Sequence, residues 1–249
     1  MPSYKKTRLD TLLVDSGLAA TRARAADLVR RGAVRVGGAL AAKPGQLVAP
    51  DAALAVSPGA AAYVSRGGLK LEAALDAFAL DPRGRVALDV GASTGGFTEV
   101  LLARGATTVY AVDVGRGQLH EKLERDPRVI ALEATDARTL DASLIPEPVS
   151  AIVADVSFIS LTLALPTALA LAAAGAWLVA LVKPQFEAGR EAVGKGGVVR
   201  KEEDRQRAVA RVRDFIEAQP GWTVLGVIPS PIEGGSGNRE FLLAARLEV

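Results

Sequence analysis

Residues 88–97 read Leu88-Asp89-Val90-Gly91-Ala92-Ser93-Thr94-Gly95-Gly96-Phe97, and this stretch decides the fold. Val86 to Val90 is a short apolar strand carrying Asp89 near its end. Gly91, Gly95 and Gly96 follow, and Phe97 to Ala103 has the pattern of a helix. A strand, a glycine turn and a helix in that order predict an α/β sheet with a ligand beyond the strand's carboxyl end. Glycines there let a ligand approach the backbone. A phosphate-binding P-loop needs Lys-Ser/Thr after its last glycine, and none is present. A dinucleotide fingerprint needs G-x-G-x-x-G, whereas the spacing here is G-x-x-x-G-G. S-adenosylmethionine is the common nucleotide-like cofactor that remains. Its expected contacts are Asp89, Gly91, Ala92, Ser93, Thr94, Gly95, Gly96 and Phe97.

Downstream, strands are predicted at 107–113, 129–132, 149–155, 176–182, 223–229 and 240–246, after the one at 85–90. Helices separate most of them, which implies a mostly parallel sheet with right-handed crossovers. The last pair has only a Pro/Gly/Ser loop between its members and should form an antiparallel hairpin. Seven strands ending this way make a Rossmann-like, class I methyltransferase shape. Asp113 ends the second strand and is placed, with Val114, to accept from ribose hydroxyls. Asp136, with Ala137, follows the third strand and faces an adenine amine. Asp155 ends the fourth.

Upstream, residues 5–57 read as a small α+β module. Leu9, Leu12 and Leu13 follow helical spacing up to Gly17. Thr21 should cap a second helix running to Arg31, with Ala25, Leu28 and Val29 on one face. Val34 and Val36 alternate as a strand, and Gly37-Gly38 supplies a hairpin turn. Ser57 to Ala62 reads as a linker. The domains expected are therefore 1–60, with a linker at about 57–63, and 64–249.

The overall charge of +2 conceals an asymmetry. Residues 1–60 hold nine Lys/Arg against four Asp/Glu, while residues 61–249 hold 21 against 24. A basic module on a near-neutral body suggests nucleic-acid binding. Apolar residues make up 49% of the chain, enough for a core. There is no cysteine, which excludes disulfides and Cys-based zinc sites and fits a reducing cytoplasm. Met1 to Asp10 has no apolar segment of the kind found in secretory signals. Val156 to Val182 lacks charge and is long enough to span a bilayer. Pro166, Gly175 and four Ser/Thr residues argue instead for a buried helix at about Leu161–Ala173 and a buried strand at Ala176–Val182. No membrane partner is expected.

The chain resembles the TlyA, or hemolysin A, family of ribosomal RNA 2′-O-methyltransferases over essentially its whole length. The resemblance rests on Val64-Ser65-Arg66-Gly67-Gly68-Leu69-Lys70, on Asp89 to Thr98, and on Asp113-Val114-Gly115-x-Gly117-Gln118-Leu119. It continues in Asp155 to Ser160, in Lys183-Pro184-Gln185-Phe186-Glu187, and in Ser236-Gly237-Asn238-x-Glu240. The first module is similar to the RNA-binding domain of the fourth small-subunit ribosomal protein, through Arg8-Leu9-Asp10, Gly17-Leu18 and Thr21-Arg22. The catalytic half also resembles the FtsJ group, whose Lys-Asp-Lys-Glu tetrad falls here on Lys70, Asp155, Lys183 and Glu240. The resemblance implies S-adenosylmethionine as cofactor, ribosomal RNA or a ribosomal subunit as partner, and a cytidine ribose as target. A monomer is assumed.

Methyl transfer from a sulfonium is an in-line displacement that requires no metal. A ribose hydroxyl needs a base, or a cation that favours its alkoxide, and Lys183 is the candidate. His120, the single histidine, reads as a surface residue of a polar helix. Arg8, Arg22, Arg24, Lys43 and Arg66 are candidate phosphate contacts. The glycine-rich basic loop 189–200 reads either as a lid over RNA or as a disordered loop. Two other readings compete: a membrane-active hemolysin, supported only by the uncharged stretch, and a non-catalytic ribosome-assembly factor.

Overall fold

The structure is a computed structural model describing residues 6–19, 21–30, 32–56, 63–234 and 237–248. Two compact units divide between Arg66 and Gly67. The expected linker at 57–62, together with Arg31 and Ser236, lies outside the described residues.

The first unit carries β1 (Thr7–Arg8), α1 (Leu9–Asp15), α2 (Arg22–Arg30), β2 (Val34–Val36), β3 (Ala39–Leu40), β4 (Leu47–Val48) and β5 (Leu54–Val56). Thr21 caps α2 as its sequence position implies: its Oγ1 accepts from the Arg24 amide at 3.1 Å. Ala25, Leu28 and Val29 pack with Leu9, Leu12, Leu13 and Val34 into one core. Gly37 and Gly38 both take positive φ, +57° and +83°, which is the geometry of a two-residue hairpin between β2 and β3.

Asp10 is 4% exposed yet charged, because Arg8 meets it with two guanidinium nitrogens at 3.0 and 2.6 Å. Arg22 stands 3.5 Å from the same carboxylate. The Arg8 hydrogen bonds hold the Asp10 carboxyl down at about 2.

The second unit carries α3 (Gly67–Ala77), β6 (Val86–Val90), α4 (Gly96–Ala103), β7 (Thr108–Val112), α5 (Glu121–Glu124), β8 (Val129–Leu132) and β9 (Val149–Ala154). It continues with α6 (Leu161–Ala164), α7 (Pro166–Ala170), β10 (Ala172–Val182), α8 (Pro184–Glu187), α9 (Glu202–Glu217), β11 (Trp222–Pro229) and β12 (Phe241–Leu247). The sheet has seven strands in the order β11-β12-β10-β9-β6-β7-β8. From β10 to β8 all neighbours are parallel, and β12 runs antiparallel to both of its own. This is the Rossmann-like α/β sheet read from the sequence, with the expected terminal hairpin. Strand order reverses between β6 and β9, so the ligand edge is their carboxyl end.

One expected element is corrected. The helix at 161–173 breaks at Leu165, and the following strand begins at Ala172 rather than Ala176. Pro166 cannot donate to the preceding turn and restarts the helix at its first position. Gly175, at φ +74°, marks a register shift against β9 between Ala172 and Trp177. The alanine-rich run 172–176 carries no alternation that would identify this irregular strand start. Among the described residues no helix is long and apolar enough to cross a membrane.

Asp10 generates a pH prediction. Its folded pKa lies below the unfolded value near 3.8, so its stabilisation is complete above that value and fades as pH falls through about 2. Asp10→Asn should therefore unfold at lower urea than the parent near neutral pH, and the gap should close toward about pH 2.

Candidate active site

The glycine loop after β6 is shaped first by the protein itself. Gly91 has φ +86°, and a Cβ on it would lie 2.7 Å from the Asp155 carbonyl oxygen. Gly95 has φ +90°, and a Cβ there would fall 2.2 Å from Leu123 Cδ1. Neither position tolerates a side chain, whether or not a ligand is bound. What a side chain would meet there is the Asp155 backbone just after β9 and the Leu123 side chain of α5.

The loop is then tied down by acids. Asp89 is fully buried, and its Oδ2 accepts from Thr98 Oγ1 at 2.7 Å across the turn. Its Oδ1 has no hydrogen-bond partner among the described residues. Burial pushes the Asp89 carboxyl up to about 7, with the charge of Asp155 adding to the effect. Asp113 accepts from the Ser93 amide at 2.8 Å and from the Gly115 amide at 2.7 Å. Glu133 receives the Gly117 and Gln118 amides at 2.7 and 3.1 Å, and these bonds hold its carboxyl below the usual range.

Beyond these carboxyl ends opens a cleft of about 670 Å³. Of the expected cofactor contacts, Gly91, Ser93, Asp113, Val114, Asp136, Ala137 and Asp155 line it. Asp89, Ala92, Thr94, Gly95, Gly96 and Phe97 do not. Asp89, Gly96 and Phe97 are buried beneath the loop, where they build it rather than face the cleft. Asp136 is at the cleft but already occupied. Arg138 grips both its oxygens, holding its carboxyl at about 2.

Reading the sequence missed several lining residues, among them Gln118, Arg138, Ile159 and Leu163. Phe158 also lines the cleft, with φ +66° and 91% exposure. The signal for Phe158 was its place just after β9. Gln118 carried none beyond its motif. His120 is not within a helix but caps α5, its Nδ1 accepting from the Lys122 amide at 3.3 Å.

The four tetrad positions meet as two ion pairs. Lys183 Nζ lies 2.7 Å from Asp155 Oδ1 and donates to Ser157 Oγ at 2.8 Å. Lys70 Nζ lies 2.5 Å from Glu240 Oε2, both side chains being buried. Register explains why the pairs share one edge. Val182 pairs with Phe241 across β10 and β12, so Lys183 and Glu240 each stand one residue beyond that pairing. Asp155 follows β9, the parallel neighbour of β10. Gly234 makes room for Glu240, since a Cβ there would lie 2.4 Å from Glu240 Oε1.

The loop 189–200 is held at its far end. Asn238, 1% exposed, donates to the Gly197 carbonyl at 2.8 Å and accepts from the Val199 amide at 3.0 Å. In the first unit, Arg8 and Arg22 are engaged with Asp10, and Arg24 with Asp27. Lys43 is exposed, and the Arg66 guanidinium lies beside Gly32.

The FtsJ-like methyltransferase family matches residues 63–247, and the S4 domain matches residues 7–54. The chain is 48% identical over 246 residues to the 16S/23S rRNA (cytidine-2′-O)-methyltransferase TlyA of Mycobacterium tuberculosis, covering 98% of this chain and 91% of that one. It is 37% identical over 240 residues to Hemolysin A of Brachyspira hyodysenteriae, covering 94% and 98% of the two chains. A solved structure from Streptococcus thermophilus, whose name carries the word hemolysin, matches with TM-score 0.76 at 42% identity, covering 99% of this chain and 90% of that one.

Asp89 generates a pH prediction of opposite sign to that of Asp10. Its folded pKa is raised from 3.8 to about 7, so the folded state loses stability relative to the unfolded one as pH rises through that window. Asp89→Asn keeps an acceptor for Thr98 and removes the titration. Its stability relative to the parent should rise from about pH 4 to about pH 7, read by denaturant unfolding. A difference independent of pH would show that Asp89 does not titrate there.

Proposed function

The chain belongs to the TlyA family of FtsJ-like methyltransferases, and from that premise we propose that it methylates a ribose 2′-hydroxyl of ribosomal RNA with S-adenosylmethionine. The observation that carries the reading is Lys183. It is held against Asp155 and Ser157 at the carboxyl edge of the sheet, and Asp155 also lines the large cleft. The mycobacterial relative is named for cytidine, and we take the same base here.

The cleft fits the cofactor by its charge and its walls. Asp113 and Asp155 give it carboxylates that suit a sulfonium cation, while Asp136 is paired with Arg138 on the same wall. Ile159 and Leu163 offer an apolar side to an adenine ring. Asp113 has spare lone pairs for ribose hydroxyls beside the two loop amides it already accepts. Gly91, Ser93, Val114, Ala137 and Gln118 complete the wall. When bound, S-adenosylmethionine supplies the electrophilic methyl and a neutral thioether leaving group.

The chain's own residues prepare the nucleophile. Lys183 is the cation that favours the developing alkoxide, and the Asp155 carboxylate accepts the hydroxyl proton. Ser157 and Asp155 fix the lysine's direction, so the hydroxyl is met in one orientation. Lys70 and Glu240 form the flanking pair of the same edge and keep the local charge balanced.

We assign residues 1–60 to RNA binding and 64–249 to catalysis, in the cytoplasm. Lys43 and Arg66 are the stronger phosphate contacts in that assignment, because Arg8, Arg22 and Arg24 already face carboxylates. The membrane-active reading loses its one support. The uncharged stretch forms two short helices and a strand, and from Ala176 to Val182 that strand is buried in the sheet.

Lys183→Ala should lower methyl transfer to ribosomal RNA at least about a hundredfold. Affinity for S-adenosylmethionine, measured by calorimetry, should stay within about threefold, because Lys183 does not line the cofactor cleft. Normal methylation by this variant would overturn the mechanism.

A further inference from the structure

The segments that follow β9 and β10 stay side by side after the sheet ends. Ala154 pairs with Ala180 at the last rung of their parallel ladder. Beyond it, Lys183 Nζ donates to Ser157 Oγ at 2.8 Å, and the Leu161 amide donates to Glu187 Oε1 at 2.8 Å. Both contacts keep the 26-residue offset of the ladder. Side chains thus extend the register of the two strands past their backbone pairing. Between these contacts the ring of Phe186 rests 5.3 Å from that of Phe158.

Glu187 closes this extension. It ends α8, the single turn that starts at Pro184 directly after Lys183, and it is 2% exposed. Its other oxygen, Oε2, accepts from Ser160 Oγ at 2.5 Å. Arg211 donates to the Glu187 carbonyl at 3.2 Å. Burial pushes the carboxyl above its usual range, and the two donors together with the charge of Arg211 act against that shift. Burying a carboxylate is costly unless donors surround it. Helix capping does not call for one here, because Ser160 already caps α6 by accepting from the Thr162 amide at 3.2 Å. What the carboxylate adds is a join between two segments.

Those segments carry separate halves of the reaction. Residues 155–159 line the cofactor cleft. Lys183 stands at the head of α8, as its N-cap. We propose that Glu187 is a positioning residue for methyl transfer: by clasping Ser160 and Leu161 it fixes where Lys183 stands relative to the cofactor wall. It does not line the cofactor cleft itself and acts through α8 on one side and the 155–160 loop on the other. The inference rests on the methyltransferase reading above.

The test uses full-length protein, unmethylated ribosomal subunits and labelled S-adenosylmethionine. Glu187→Ala should lower kcat at least about tenfold, while KM for the RNA stays within about threefold. Glu187→Gln should keep at least about a third of the parental kcat, since its carbonyl oxygen accepts from the Leu161 amide and its amide group donates to Ser160 Oγ. A double-mutant cycle separates positioning from general loosening. In the Lys183→Ala background, Glu187→Ala should lower the residual rate by less than about threefold, because no amine is left to position. Ser160→Ala opens the clasp with Glu187 intact and should lower kcat about threefold to tenfold. It decides the question if Glu187→Ala does not fold. The proposal fails if the folded variant, Glu187→Ala or otherwise Ser160→Ala, turns over like the parent. It fails equally if the losses from Glu187→Ala and Lys183→Ala multiply in the double variant. If the parent binds S-adenosylmethionine but methylates no RNA, the methyltransferase reading itself falls, and the role of Glu187 with it.

Discussion

Between β6 and β9 the backbones close at Gly91 until no side chain fits, with the space for a Cβ only 2.7 Å from the Asp155 carbonyl oxygen. The Asp155 amide donates to the Val90 carbonyl at 2.9 Å, while the Gly91 and Ala92 amides both donate to Val112. Three strand ends are thus drawn together at one residue. The loop must then turn back through Ser93 and Gly95, both at positive φ, and the cleft opens beyond it. The same closure sets where Asp155 leaves the sheet, and so where Lys183 finds its partner. The cleft and the Lys183–Asp155 ion pair are consequences of one backbone approach at the point where strand order reverses.

The sheet was legible because its strands are apolar runs of ordinary length bounded by glycine or charge. β6, β7, β8 and β12 fall within a residue or two of their expected limits. The start of β10 was not, since alanines at 172–174 suit a helix as readily as an irregular strand. The glycine loop was legible, but the packing against Gly91 was not. Periodicity cannot reveal that Gly91 faces the backbone of a strand sixty residues on. The acids divide similarly. Asp113 and Asp155 reach the cleft, while Asp89 is sealed beneath it and pairs with Thr98. Ser157 and Gln118 enter from separate loops, and only the assembled sheet edge brings them to the site.

In the first unit, several cations that charge counting would offer to RNA already face carboxylates. Residues 1–60 hold nine cations, yet Arg8 and Arg22 surround a buried aspartate and Arg24 joins Asp27. These guanidiniums hold the unit together and are partly neutralised where they stand. A phosphate must compete with a carboxylate at each, so the salt dependence of RNA binding should reflect fewer contacts than the cations present.

In the mechanism proposed, Lys183 and Asp155 direct the methyl group to a ribose oxygen rather than to a base. The most direct measurement supplies isotopically labelled S-adenosylmethionine to purified protein and unmethylated ribosomal subunits, then maps the label by mass spectrometry of nuclease digests. Label is expected on the 2′-oxygen of a cytidine ribose. Label on a base, or none in RNA under conditions where the cofactor binds, would contradict it.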